Sequence, residues 1–272
     1  MSRFAAPGGG ARRQTGTTMT AADLPDLDAA AQETVLDEAA VLELLREGDI
    51  ELEGRLVDAS NATLFGSVTR DGLGVHVVYK PVRGERPLWD FPDGTLAGRE
   101  VSAFLVSAAT GWDVVPPTVL RDGPFGVGMV QLWIEVDEGV DIERLVRSTR
   151  DRRMRTMAAF DAVVNNGDRK GGHVLPTEAG HVYGCDHGVT FNTEDKLRTL
   201  LWQWRGRPLD EGEVGVLTRL RADLDAELGR ELAGHLTARE VLATMGRVER
   251  LLAEGTFPQP SGDWPAIPWP PF

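Results

Sequence analysis

The texture of the apolar residues changes near Glu135 from mainly strand-like to mainly helical, and that change limits the folds open to the chain. Before it, "IELEGRLVDA", "FGSVTR", "GVHVVYKPV", "VVPPTVLRDG" and "GVGMVQLWIE" are rich in Val and Leu and are set off by turns, as strands are. After it the texture is helical, entered through the acidic crossover "EVDEGVD". Two helices interrupt the strand-like half. "ETVLDEAAVLELLREGD" repeats Val35, Leu36, Ala39, Leu42 and Leu45 at helical spacing. "TLAGREVSAFLVSAATG" sets Val101, Phe104, Leu105 and Ala108 on one face, with Gly111 as its stop. The expected class is therefore α+β: a β-rich N-terminal lobe with one key helix, a short connector, and an α-rich C-terminal lobe.

The boundaries follow from composition. Residues 1–30 are rich in Gly, Ala and Thr and poor in large apolar side chains, and read as a disordered leader. Residues 31–134 form the first lobe and 135–257 the second, which leaves a Pro/Trp-rich tail over 258–272. That tail is expected to be extended and packed on the body through Trp264, Trp269 and Phe272, with a docking motif for a protein partner as the alternative. Within the second lobe a helix runs through "RRMRTMAAFDAVVNN", and short strands "GHVL" and "VYGCD" bracket "PTEAG". "TARE" at Thr237–Glu240 is a capping box ahead of Val241, Met245, Val248 and Leu252.

Charge and cysteine usage bear on partners and compartment. A formal net charge of -13 argues against nucleic acid or an anionic membrane surface as the natural partner, since both need a basic face. No apolar run is long enough to span a bilayer, and the opening thirty residues hold no continuous apolar segment suited to secretion. The single cysteine, Cys185, cannot form an internal disulfide, which fits a reducing cytoplasm.

Five features carry chemistry, each ordinary when taken alone. Lys80 ends the strand "VVYKPV" and can meet a phosphate as a compact point charge; the plain reading is a surface lysine. Glu100, in the next helix, can hold such a lysine, or can simply be a solvated first-turn glutamate. Ser60, Asn61 and Thr63 offer donors in a turn suited to covering phosphates, or make a simple hairpin turn. Asp168 follows a helix in "VVNNGDRKGGHVL", where Gly167, Gly171 and Gly172 let backbone approach a ligand; His173 in the same loop is a candidate metal ligand or a structural histidine. Asp186 in "YGCDHGVTF" ends a short strand in an Asp-x-Gly turn, a way to present a carboxylate to Mg²⁺. Their order along the chain is more specific than any one of them.

Taken together, these motifs resemble those of the phosphatidylinositol 3-/4-kinase superfamily, in particular its type II phosphatidylinositol 4-kinase-like branch and an actinobacterial group within it. The resemblance covers about Leu52 to Phe191 and implies a two-lobed protein-kinase-like fold. "VYKP" is similar to the nucleotide-lysine strand, which implies that Lys80 contacts phosphate. "GREVSAFLVSAATGWDVVPPTVL" is similar to the helix bearing its partner, Glu100. "MVQLWIE" resembles the lobe connector, which would set Gln131, Leu132 and Trp133 beside adenine. "NNGDRKGGHVL" resembles the catalytic loop, with Asp168 as base or hydroxyl-orienting residue, and "CDHGVTF" the metal-binding turn, with Asp186 as Mg²⁺ ligand. The superfamily usually has an asparagine five residues after the aspartate. Here that position is His173, a ligand type that suits Mn²⁺ or other transition ions better than Mg²⁺.

The implied activity is ATP-dependent transfer of a γ-phosphoryl group to a hydroxyl on a small molecule, a protein or a phosphoinositide, with ATP and Mg²⁺ or Mn²⁺ as cofactors. The acidic chain, which has no long basic run, suits an anionic lipid surface poorly. Two alternatives keep the fold: a nucleotide-binding pseudokinase or scaffold, motivated by His173 and the tail, and a nucleotidyl transferase.

Overall fold

A computed structural model of the chain describes residues 36–56 and 62–272. The expected leader and two of the candidate phosphate-loop residues, Ser60 and Asn61, lie outside the described residues. The chain is α+β, with its sheet in the N-terminal region and its helices concentrated in the C-terminal region. It divides into two compact units, one ending at Ala97 and resuming over Pro117–Trp133, the other comprising Gly98–Pro116 and Ile134–Phe272.

In the first unit α1 (Glu38–Glu47) precedes a five-stranded antiparallel sheet of β1 (Asp49–Arg55), β2 (Leu64–Arg70), β3 (Leu73–Pro81), β4 (Thr118–Gly123) and β5 (Gly126–Leu132), in the order β1-β2-β3-β5-β4. Alternation along the strands gives the sheet two unlike faces. Val68, Val77, Tyr79, Val119 and Val130 form a buried cluster with Val41, Leu44 and Leu45 of α1. Burial of that apolar area holds helix to sheet. Arg121 adds a polar tie, donating to the carbonyls of Leu45 and Gly48 at 3.0 and 2.8 Å, where the last turn of α1 leaves acceptors unsatisfied. The opposite face carries Phe65, Ser67, His76, Val78, Lys80, Met129, Gln131 and Thr118, by the registers Phe65–Val78, Ser67–His76, Lys80–Met129 and Thr118–Gln131.

α2 (Leu96–Thr110) ends at Gly111, whose φ of 65° is the left-handed stop expected of glycine. Its first turn is capped from a distance: the Glu85 carboxylate accepts from the backbone N–H groups of Leu96 and Ala97 at 3.1 and 2.8 Å.

In the second unit α3 (Ile142–Val146) leads to α4 (Arg152–Val164), which is buried from Met157 onward. A two-stranded hairpin follows, β6 (Val174–Pro176) with β7 (Val182–Gly184). Then come α5 (Glu211–Leu224), α6 (Glu227–Leu232) and α7 (Ala238–Glu254), with α5 and α6 both packed by neighbouring helices. The "TARE" capping box is present: the Thr237 side chain accepts from the Glu240 backbone and the Glu240 side chain accepts from the Thr237 backbone. The C-terminal tail bends repeatedly between residues 262 and 270 and is tied to the rest of its unit at separate points. Lys196 Nζ sits 4.2 Å over the Trp264 ring and Phe272 lies on Gly171, whereas Trp269 is 84% exposed.

Candidate active site

The second unit gathers the acidic and histidine residues of the candidate set. α4 stops at Asn165 because that residue turns left-handed, with φ 54°. Its side chain holds the stop in place, donating to the carbonyls of Asn192 and Glu194 at 3.0 and 2.6 Å and accepting from Lys196 N–H at 3.0 Å. Asn166 next accepts the Asp168 N–H at 3.0 Å, which orients the start of the loop. The Asp168 carboxylate is 26% exposed and pairs with Lys170 Nζ at 2.9 Å. It is therefore reachable, with a cation beside it that can also meet a phosphate.

The β6–β7 hairpin decides where the remaining groups fall. Because Val174 pairs with Gly184, the residues just outside the hairpin are neighbours, and Cys185 N–H donates to His173 O at 3.1 Å. This sets His173 against Asp186, with Nε2 to Oδ2 at 3.4 Å. Asp186 is half exposed and adopts φ 60°, a conformation rare for non-glycine residues but tolerated by aspartate. Burial pushes the His173 imidazole below its usual range. Asp186 opposes that shift, Arg169 and Lys170 add to it, and Asp168 opposes it. The other ring nitrogen of His173, Nδ1, is buried without a hydrogen-bond partner among the described residues.

Glu100 is only 1% exposed, so it is not the solvated first-turn glutamate of the plain reading. Its Oε2 accepts the backbone N–H of His187 at 2.8 Å and thereby fixes the residue that follows Asp186. The neighbouring Arg99 works alongside it, donating to Thr190 O at 2.8 Å and pairing with Glu240.

Sequence reasoning missed the group that ties these loops together. Arg169 and Asp161 are both fully buried and pair at 2.9 Å. The same guanidinium donates to the carbonyls of His173 and Cys185, both at 3.2 Å, and to His187 Nε2 at 2.6 Å. Arginine can only donate, so that imidazole nitrogen accepts. Asp161 also accepts from Asn166 at 3.0 Å and from Thr199 at 3.1 Å. Gly184 lets the guanidinium pass, since a Cβ there would sit 2.8 Å from Arg169 Nη1. The available signal was a lone aspartate inside the apolar run "MAAFDAVV", which must find a partner when buried.

In the first unit Lys80 shares the sheet face opposite α1 with Phe65, His76 and Gln131. Gln131 is buried and donates to Thr118 Oγ1 at 2.8 Å, so its amide donor serves the β4–β5 pair. Leu132 packs at the edge of the α1 core. Thr63 is buried, and its carbonyl accepts from Leu56 N–H at 2.9 Å. Trp133 lies edge-on to Phe65, with centroids 5.0 Å apart, and His76 is 5.2 Å from the same ring. Trp133 Nε1, His76 Nε2 and Glu53 Oε2 are buried with no hydrogen-bond partner among the described residues. Buried polar atoms are rarely left so.

Among the described residues no group of three or more His, Cys, Asp and Glu is arranged to hold a metal ion. Asp186 and His173 offer two donors, which is enough for an ion whose other ligands are phosphate and water. No described helix is long and apolar enough to cross a membrane.

No protein-family profile matches the chain. A curated relative does: Protein Rv2133c of Mycobacterium tuberculosis is 44% identical over 270 residues, covering 87% of this chain and 96% of that protein. The chain belongs to the Rv2133c family. Outside the Rv2133c family, a crystal structure of the Helicobacter pylori proinflammatory kinase CtkA aligns over 78% of this chain and 94% of its own, at 10% identity and a TM-score of 0.47. Identity that low transfers no residue from that kinase to a member of the Rv2133c family.

Proposed function

We propose that the protein is an ATP-dependent phosphotransferase that moves the γ-phosphoryl group to a hydroxyl acceptor. The observation that supports this best is the joint fixing of the Asp168 loop and the Asp186 turn. Arg169 bonds both sides of the hairpin at His173 O and Cys185 O, and Glu100 holds the backbone beside Asp186. A turn carboxylate at half exposure, locked from behind by buried groups, is what a phosphoryl-transfer site needs, because its work is positioning and charge neutralisation.

In this reading Asp168 accepts the proton of the acceptor hydroxyl. The acceptor oxygen bonds to the γ-phosphorus as the bond from that phosphorus to the β-bridging oxygen breaks, releasing ADP. Lys170, paired with Asp168, would meet phosphate oxygens, and Asp186 with His173 would hold the divalent cation. Such a cation, when bound, neutralises charge on the phosphates. Its imidazole ligand favours Mn²⁺ over Mg²⁺. General-base assistance by a carboxylate contributes roughly 10² to 10⁴-fold, and Asp168→Ala should lose about that much.

The test is purified protein with γ- and α-labelled ATP, Mg²⁺ or Mn²⁺, and cell extract as the acceptor source. Transfer of γ label that vanishes in Asp168→Ala and Asp186→Asn is the expected result. Transfer of α label would replace this reading with a nucleotidyl transferase. Binding without any transfer would make the protein a nucleotide-binding scaffold.

A further inference from the structure

The loop between Asp168 and His173 contains two consecutive glycines, Gly171 and Gly172, and so has little side-chain packing of its own to hold its shape. The C-terminal segment Trp264–Phe272 supplies what is missing. Gly171 N–H donates to Pro271 O at 2.8 Å. The Phe272 ring lies where a side chain on Gly171 would go: a Cβ there would run into its Cδ1 and Cε1.

The rest of the segment is anchored on the stretch that pairs with the same loop. Arg169 N–H donates to Arg198 O at 3.1 Å, and Leu200 N–H to Arg169 O at 3.3 Å. That stretch in turn donates to the tail: Arg198 Nε to Pro265 O at 3.2 Å, Thr199 N–H to Ala266 O at 3.1 Å, and Trp202 Nε1 to Ala266 O at 2.8 Å. In all four contacts the tail is the acceptor. Pro265, Pro268, Pro270 and Pro271 have no N–H to satisfy, so a proline-rich chain can lie there and offer mainly carbonyls.

We propose that Trp264–Phe272 is a positioning strap for the candidate active site, in which the Pro271 carbonyl and the Phe272 ring fix the Gly171–His173 turn and thereby hold His173 against Asp186. Phe272 and Pro271 act through the turn and touch no reacting atom. The catalytic consequence rests on the phosphotransferase reading; the mechanical claim does not.

Hydrogen exchange of the full chain, read on peptides spanning 166–176, tests the mechanical claim directly. Phe272→Ala should speed exchange at Gly171, Gly172 and His173 by about tenfold or more, and Phe272→Tyr should restore protection. Steady-state transfer should show kcat/KM for metal–ATP lowered by about tenfold and partly recovered by raising the Mn²⁺ concentration, as expected when a cation-holding pair is misplaced. Ile267→Ser, at a half-exposed tail position away from the loop, is the control and should change neither reading.

A reciprocal variant covers the case in which Phe272→Ala misfolds. Gly171 has no left-handed φ, so Gly171→Ala is opposed by the Phe272 ring rather than by its backbone. Gly171→Ala should loosen the turn, and adding Phe272→Ala should recover part of the protection, because the new methyl then fills the vacated space. Unchanged exchange in Phe272→Ala and on deletion of 264–272 overturns the strap, as does faster exchange with full transfer activity. Faster exchange in a protein whose unaltered form transfers no phosphate keeps the mechanical strap and sinks the phosphotransferase reading.

Discussion

Asp161 and Asp168 lie seven residues apart across the end of α4, and their surroundings give them opposite duties. Asp161 has no exposed side-chain surface and satisfies Arg169, Asn166 and Thr199 together. Removing it strands a buried guanidinium, so Asp161→Ala should cost about 3–5 kcal/mol, read as a fall in the urea midpoint. Asp168 is partly exposed and pairs with one flexible lysine, so Asp168→Ala should cost about 0–1 kcal/mol while, on the phosphotransferase reading, lowering transfer by about 10² to 10⁴-fold. Equal destabilisation by the two substitutions would mean that Asp168 is structural and that its loss of activity says nothing about chemistry. The loop that carries Asp168 stood out in the sequence because a glycine-broken polar stretch advertises itself. Asp161 was half legible: a charge in an apolar run demands a partner, but pattern alone does not name Arg169 on the far side of the helix end.

At the scale of elements, α2 and α7 are joined through one buried pair, and this makes the α2 register sensitive to acid. Arg99 and Glu100 are consecutive, and both are committed, the first to Thr190 O and Glu240 and the second to His187 N–H. Burial tends to raise the Glu240 carboxyl, but donation from Thr237 N–H together with the bond to and charge of Arg99 more than offsets this, and the group lies below its usual value of 4.5. A folded-state value below the unfolded one stabilises the protein above the unfolded value, and that contribution is lost as pH falls through the folded one. Glu240→Gln should therefore flatten the loss of stability below about pH 4.5, measured as urea midpoints at pH 7 and pH 4. Thr237→Ala should cost about 1 kcal/mol through the lost cap. A wild-type acid limb in Glu240→Gln would show that the pair does not carry the effect. The capping box was readable from "TARE", since a cap is local. The second task of its glutamate was not, because Arg99 is 141 residues away in sequence.

For the molecule as a whole, the change of texture near Glu135 was enough to read an α+β chain with a sheet region followed by a helical one. Periodicity is set by which face is buried, and it survives in sequence. The polar hub was hidden because hydrogen bonds between distant loops leave no period. The net charge of -13 gives a prediction at this same scale. A chain this acidic repels free ATP, which is itself an anion, so on the phosphotransferase reading binding would depend on a divalent cation and on a local cation such as Lys170. A ligand that binds only the folded state at 100 times its Kd adds about 2.7 kcal/mol. For a chain of this size that is a rise in Tm of about 5–10 °C. The rise should appear with Mg²⁺ or Mn²⁺ and ATP, shrink sharply when the metal is chelated, and shrink again in Asp186→Asn. Added salt without metal should recover a little of it, since screening weakens the repulsion without replacing the cation. A Tm unmoved by ATP with either metal, in protein shown to be folded, would leave Asp168 and Asp186 as well-anchored turn residues and remove the case for phosphoryl transfer.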